Sequence, residues 1–178
     1  MNLANKLTMS RIFLVPVFMI VLLSNIPYHT YIAACIFLLA AITDTLDGYI
    51  ARSRNQITKL GKLIDPLADK ILVTAAFVCL VQMGKLSAWI VVLILAREFT
   101  ISILRAVAAS EGIVIAASWW GKAKTLTQMI AIFFILINNY PFRLIDFPFS
   151  TIALYAAVIL TIVSGIDYLY LNRAVFKD

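Results

Sequence analysis

Asp44-x2-Asp47-Gly48-x2-Ala51-Arg52-x8-Gly61-x3-Asp65-x3-Asp69 places four carboxylates in sequence that is otherwise apolar. An ionised carboxylate near hydrocarbon is costly unless a cation or a water-filled cavity receives it, so intramembrane acids mark function by default. Four together point to bound metal. Around them, 63% of the 178 residues are hydrophobic and only 13% are charged, and the mean hydropathy is +0.98. A soluble domain is about half apolar and a quarter charged. The chain therefore reads as an integral membrane protein, all-α, because lipid leaves no water for open sheet edges and each apolar run is far longer than a barrel strand.

At roughly 20 residues per crossing, there is room for six transmembrane helices in a single domain, 1–178. Hydropathy and breakers place them at Leu7–Ser24, Tyr31–Ala51, Leu63–Met83, Ala88–Ser110, Lys122–Ile137 and Phe149–Leu171. The connections are marked by Asn25-Ile26-Pro27, Ser53–Gly61, Gly84-Lys85, Glu111-Gly112 and Asn138-Asn139-Tyr140-Pro141. With both termini inside, thirteen of the Lys and Arg residues fall at or towards the cytoplasmic side, and only Lys85 and Arg143 lie outside. The net charge of +6 is thus gathered on the face that meets anionic headgroups and phosphorylated substrates. For Lys6, Arg173 and Lys177 the positive-inside rule alone accounts for that placement. Met1–Lys6 lacks the charged start of a signal peptide. Cys35 and Cys79 give no disulfide pattern, His29 stands alone, and neither a zinc constellation nor a G-x4-G-K-[ST] phosphate loop is found.

Residues i, i+3, i+4, i+7 and i+8 share one helix face. Asp44, Asp47, Gly48, Ala51 and Arg52 occupy that set on the second helix, and Gly61, Asp65 and Asp69 form an i, i+4, i+8 row opening the third. A short cytoplasmic loop joins the two helices, which makes them antiparallel neighbours whose acidic stripes can face each other. Carboxylates without His or Cys favour hard divalent cations, Mg²⁺ or Mn²⁺. Four of them can hold two ions, the arrangement suited to displacement at phosphorus. Gly48, Ala51 and Gly61 clear space for a bulky nucleotide, and Arg52 can neutralise a phosphate. Interior ion pairs to Arg52, Lys62 and Lys70, with the glycines merely packing helices, are the plainer alternative.

In these residues the chain resembles the CDP-alcohol phosphatidyltransferases, six-helix membrane enzymes whose D-x2-D-G-x2-A-R-x8-G-x3-D-x3-D signature it matches at every defining position. The resemblance implies attack of an alcohol hydroxyl on the β-phosphorus of a CDP-linked lipid, with release of CMP. It further implies that Asp44, Asp47, Asp65 and Asp69 are metal ligands, with Asp69 also the general base. Gly48, Arg52 and Gly61 match positions that line the CDP site, and Thr58 matches a polar position at the nucleotide. Asn5-x2-Thr8-x2-Arg11 resembles a segment near the cytidine. The family also suggests a homodimer.

The acceptor pocket falls to the later helices. Arg97 and Arg105 share a face at i+8 and, with Lys122 and Lys124, can form an anion site for a phosphorylated acceptor. Snorkelling to the headgroups is the competing account for Arg105, Lys122 and Lys124, but Arg97 is too deep for it. Glu98 is either the partner of Arg97 or an orienting group for another helix. Segments Asn5–Arg11, Asp65–Lys70, Ala96–Phe99 and Gly121–Thr125 resemble the phosphatidylglycerophosphate synthase branch, which implies CDP-diacylglycerol and glycerol 3-phosphate as substrates. Serine, inositol phosphate or phosphatidylglycerol as acceptor would use the same chemistry. A cation-coupled transporter would also carry intramembrane acids, although carboxylates near one surface and the lack of an inverted repeat speak against it.

Overall fold

A computed structural model describes residues 3–53, 59–110, 112, 115 and 118–172, and the side chains of 3–8, 11, 44–53 and 59–69 lie outside what is described. The described residues form six α-helices and no strand: α1 (Leu3–Leu23), α2 (His29–Ser53), α3 (Lys59–Gln82), α4 (Ala88–Ser110), α5 (Trp119–Leu136) and α6 (Phe149–Leu171), with a 3-10 turn at Phe142–Ile145. The bounds of α4 and α6 coincide with the sequence reading. By contrast, α1, α3 and α5 each begin about a turn earlier, in more polar sequence. Hydropathy registers only the apolar part of such a helix, whereas backbone hydrogen bonding carries the coil on into polar residues. Pro16 lies inside α1 without ending it, as neighbouring helices allow in apolar surroundings. Among the described residues α6 is the one helix both long and apolar enough to cross a bilayer. Ile12–Leu23, His29–Thr43 and Lys70–Gln82 are shorter apolar stretches.

Two compact units divide the chain. The first comprises residues 1–85 with 136–138. Within it α1 packs along both α2 and α3, whereas α2 and α3 meet directly over far less of their length. The short loop between them therefore does not make them close neighbours throughout. Composition explains why α1 holds that place. It buries Val15, Phe18 and Leu22, while α2 and α3 offer Ala33, Ala34, Ala40, Ala75 and Ala76 as small buried surfaces around Phe37, Leu72, Phe77 and Leu80. Phe18 and Phe37 meet with ring centroids 6.1 Å apart. The His29 Nδ1–H donates to the Leu22 carbonyl at 2.7 Å, tying the start of α2 to the end of α1. Gly84, at φ +69°, closes α3: its N–H donates to the Val81 carbonyl and that of Lys85 to Leu80, both at 2.9 Å. Such a paired closure needs a left-handed residue, which glycine adopts without steric cost. Burial draws the Lys85 ammonium below the usual lysine pKa, and the Asn138 side-chain oxygen accepts from it at 2.7 Å.

The second unit comprises residues 86–135 and 139–178. Its α6 is patterned opposite to a soluble helix. Ala153, Ala157, Thr161 and Gly165, spaced four apart, are buried together with Ser164, while Ile152, Ile159, Ile162, Ile166 and Leu169 are exposed. Where hydrocarbon surrounds a helix, the large apolar residues gain nothing by turning inward, and small ones let backbones approach. The Thr161 hydroxyl donates to the Ala157 carbonyl at 2.6 Å and accepts from Gln128 Nε2 of α5 at 3.1 Å. Ahead of α6, Asn139 donates to the Phe147 carbonyl at 2.7 Å and accepts from the Ser150 N–H at 2.9 Å. It supplies the cap that Pro148 cannot. Phe134 and Phe142 both pack on Phe149, at 4.6 and 4.5 Å between centroids.

Candidate active site

Helix register puts the aspartate run in context. On α2 the buried stripe Ala33, Phe37, Ala40 is spaced alternately by four and three, and the same spacing continued along the helix reaches positions 44, 47 and 51. On α3 the buried Leu80, Ala76 and Leu72, followed back towards the start of the helix, lead to positions 69 and 65. Those positions thus fall in the same helical register as the buried residues named, by spacing alone. The side chains of Asn5, Thr8, Arg11, Asp44, Asp47, Gly48, Ala51, Arg52, Gly61, Asp65 and Asp69 lie outside those described, as does Thr58 altogether. Among the described residues no group of three or more His, Cys, Asp or Glu comes together.

The second unit holds the basic residues expected at the acceptor. Glu98 on α4 is their hub: its Oε1 accepts from Arg97 Nη1 at 3.1 Å and from Lys124 Nζ of α5. Lys124 is 2% exposed, and that carboxylate is a counter-charge for its ammonium. A buried cation without a counter-charge is strongly unfavourable. The role left open for Glu98 in the sequence is thereby resolved as partner to both. Arg97 also keeps its Nε buried with no hydrogen-bond partner. Arg105 is exposed and donates from Nη2 to the Ile115 carbonyl at 3.2 Å. Lys122 is exposed at the start of α5. The structure thus brings Arg97 and Lys124 together through Glu98 and sets Arg105 and Lys122 at the surface.

Sequence reasoning missed two residues of this region. A Cβ built on Gly165 would lie 3.2 Å from Arg97 Cγ and 3.8 Å from Nε, so a side chain there would press on the arginine by a few tenths of an ångström. One turn on, Tyr168 is buried and its hydroxyl has no hydrogen-bond partner. The signal available in the sequence was the small-residue spacing Ala153, Ala157, Thr161, Gly165, which marks a packing face but does not name Arg97 or single out Tyr168.

The family model for CDP-alcohol phosphatidyltransferases matches residues 1–163. The chain belongs to this family. Curated members of the CDP-alcohol phosphatidyltransferase family resemble it nearly end to end. The chain is 44% identical to the CDP-diacylglycerol–glycerol-3-phosphate 3-phosphatidyltransferase of Bacillus subtilis (strain 168), covering 99% of this chain and 97% of the relative. A protein of the same name from Haemophilus influenzae is 40% identical over 99% and 96% of the two chains. Another, from Rickettsia bellii, is 38% identical over 94% and 93%.

Proposed function

We propose that this phosphatidyltransferase moves a phosphatidyl group from CDP-diacylglycerol to sn-glycerol 3-phosphate, forming phosphatidylglycerol phosphate and CMP. One observation carries the choice of acceptor: near-full-length relatives at 38 to 44% identity are named for that reaction. The aspartate run carries the chemistry. Asp44, Asp47, Asp65 and Asp69 are an all-oxygen donor set, which fits two Mg²⁺ or Mn²⁺ ions and excludes a soft-metal site. When bound, such ions neutralise phosphate charge and lower the pKa of the attacking hydroxyl. Asp69 takes the hydroxyl proton, and Asn5, Thr8, Gly48, Arg52, Thr58 and Gly61 hold the CDP moiety. Arg97, Arg105, Lys122 and Lys124 attract the acceptor phosphate, with Glu98 restraining Arg97 and Lys124 in place.

Residues 1–178 work as one membrane domain of six crossings in the cytoplasmic membrane, with both termini and the active site on the cytoplasmic side, and the enzyme is a homodimer. The inside-out patterning of α6 and the thirteen-to-two distribution of basic residues support that placement. The test is CMP release by purified protein in detergent, with CDP-diacylglycerol and Mg²⁺ or Mn²⁺, comparing glycerol 3-phosphate, serine, inositol phosphate and phosphatidylglycerol as acceptors. Release only with glycerol 3-phosphate is expected. Release with a different acceptor alone overturns the assignment, and a protein that releases no CMP with any of them is not acting as a transferase.

A further inference from the structure

The stretch between α5 and α6 is patterned unlike a water-facing loop. Within residues 140–147, Tyr140, Leu144, Ile145 and Phe147 are large, apolar and exposed, Leu144 and Ile145 by 73% each, with the exposed Arg143 and Asp146 set among them. Exposed apolar side chains gathered in one place mark an interaction surface. The turn is also built to hold its shape. Phe142 stacks on Phe149, the first residue of α6, at 4.5 Å between centroids, and lies 5.5 Å from Phe134 of α5. Around the turn the backbone bonds to itself: the N–H of Arg143 donates to the Asn139 carbonyl, that of Leu144 to Pro141, that of Asp146 to Arg143 and that of Phe147 to Phe142, at 2.9, 2.9, 3.3 and 3.1 Å.

The turn runs directly into α6, whose Ile152, Ile159, Ile162 and Ile166 are exposed and which is long and apolar enough to cross a bilayer. The apolar tip therefore continues a lipid-facing surface at the level where that helix begins. Backbone groups already bonded to one another lose little on leaving water, which is the condition for entering an apolar medium. Apolar side chains beside a tyrosine and an arginine suit the bilayer interface, where the polar ends stay among headgroups while the apolar parts go deeper. A second copy of the chain fits less well, because four side chains do not by themselves supply the roughly 800 Å² per partner that a stable protein interface takes.

Building on the placement of α6 across the membrane proposed above, we infer that residues 140–147 are an interfacial anchor. Leu144 and Ile145 enter the acyl region of the leaflet at the start of α6, and Tyr140 and Arg143 sit among its headgroups. The stacked Phe142 and the Asn139 side chain, which bonds the Phe147 carbonyl and the Ser150 N–H, couple that depth to α6. The anchor fixes how far α6 is immersed.

The test measures depth from within the bilayer. Full-length protein bearing Cys35→Ser and Cys79→Ser, with one of Arg143→Cys, Leu144→Cys, Ile145→Cys or Ile159→Cys, carries a small thiol-linked fluorophore in phosphatidylcholine vesicles. The acyl chains bear bromine either near the headgroup or near the chain end, and each quenches what lies at its own depth. Labels at 144 and 145 should be quenched most by the shallow bromine and be shielded from aqueous iodide, whereas the label at 143 should respond to iodide. Adding Leu144→Asp should move the label at 145 towards iodide. Position 159, in the middle of α6, reports the placement itself and should be quenched by the deep bromine. Deep quenching at 159 with no lipid quenching at 144 and 145 overturns the anchor and leaves the membrane placement standing. Iodide quenching at 144 and 145 then means that water covers the tip, and protection from both quenchers means that protein does. Absence of lipid quenching at 159 overturns the placement and the anchor with it. An unmoved label at 145 in the Leu144→Asp protein overturns Leu144 as the side chain that holds the depth.

Discussion

Replacing Asp44, Asp47 or Asp65 by asparagine keeps the side-chain volume and some oxygen ligation but removes a charge from the proposed metal set. Each variant should insert normally and lose at least about a hundredfold in CMP release, since metal stabilisation of phosphoryl charge is worth several kcal/mol. Chelation should abolish the activity of wild type reversibly. Near-native turnover in one of these variants at saturating metal removes that residue from the ligand set. Asp69 is a separate case, because it is proposed to be both ligand and base. Asp69→Asn should stay roughly 10²–10⁴-fold impaired even at high Mg²⁺, for metal restores occupancy but no proton acceptor of suitable pKa. Rescue by metal alone would reduce Asp69 to a ligand.

Between elements, the ionic link of α4 to α5 and the close contact of α4 with α6 make distinct predictions. Glu98→Gln removes the carboxylate that bonds both Arg97 and the buried Lys124 and should destabilise the protein by about 1–3 kcal/mol, as loss of a hydrogen bond to charged groups predicts. Lys124→Met in the same chain should restore much of that loss, so the two effects fall well short of adding. Thermal unfolding of the single and double variants in detergent measures the coupling, and strict additivity shows that the link carries no energy. On α6, Gly165→Leu forces a side chain into space held by Arg97 and should cost about 1–3 kcal/mol from overpacking. It should also raise the acceptor KM. Gly165→Ala, with only a Cβ to place, should do less of both. A leucine variant of native stability and native KM would mean that Arg97 does not need that gap.

For the molecule as a whole, the prediction is orientation. In cells from which Cys35 and Cys79 have been removed by serine substitution, a cysteine at position 85 should react with a membrane-impermeant thiol reagent added outside. A cysteine at position 122 should react only after permeabilisation. The reverse pattern inverts the topology and removes the cytoplasmic site with it. Basic side chains resist transfer through the membrane during insertion, which is why their distribution along the chain sets its direction.

Much of this protein was legible along the chain, because helices convert spacing directly into shared faces. Hydropathy placed all six helices, and α4 and α6 to the residue. The aspartate spacing led to the family that the match over residues 1–163 establishes. What the chain by itself could not express was which helix faces which. A three- or four-residue period says that a helix has a face, but nothing in it names the partner or the level at which the two meet. Hence α1, and not the adjacent loop, decides how α2 and α3 are held. Glu98 acquires its role from Lys124, 26 residues away. Gly165 and Tyr168, which belong to no motif in the sequence, meet Arg97, Ile101 and Leu104 because α6 turns its small-residue face towards α4. The sequence by itself determined the helices and, through the acidic run, the family; the tertiary structure decided the partners of the basic residues, since those depend on packing between segments far apart in the chain.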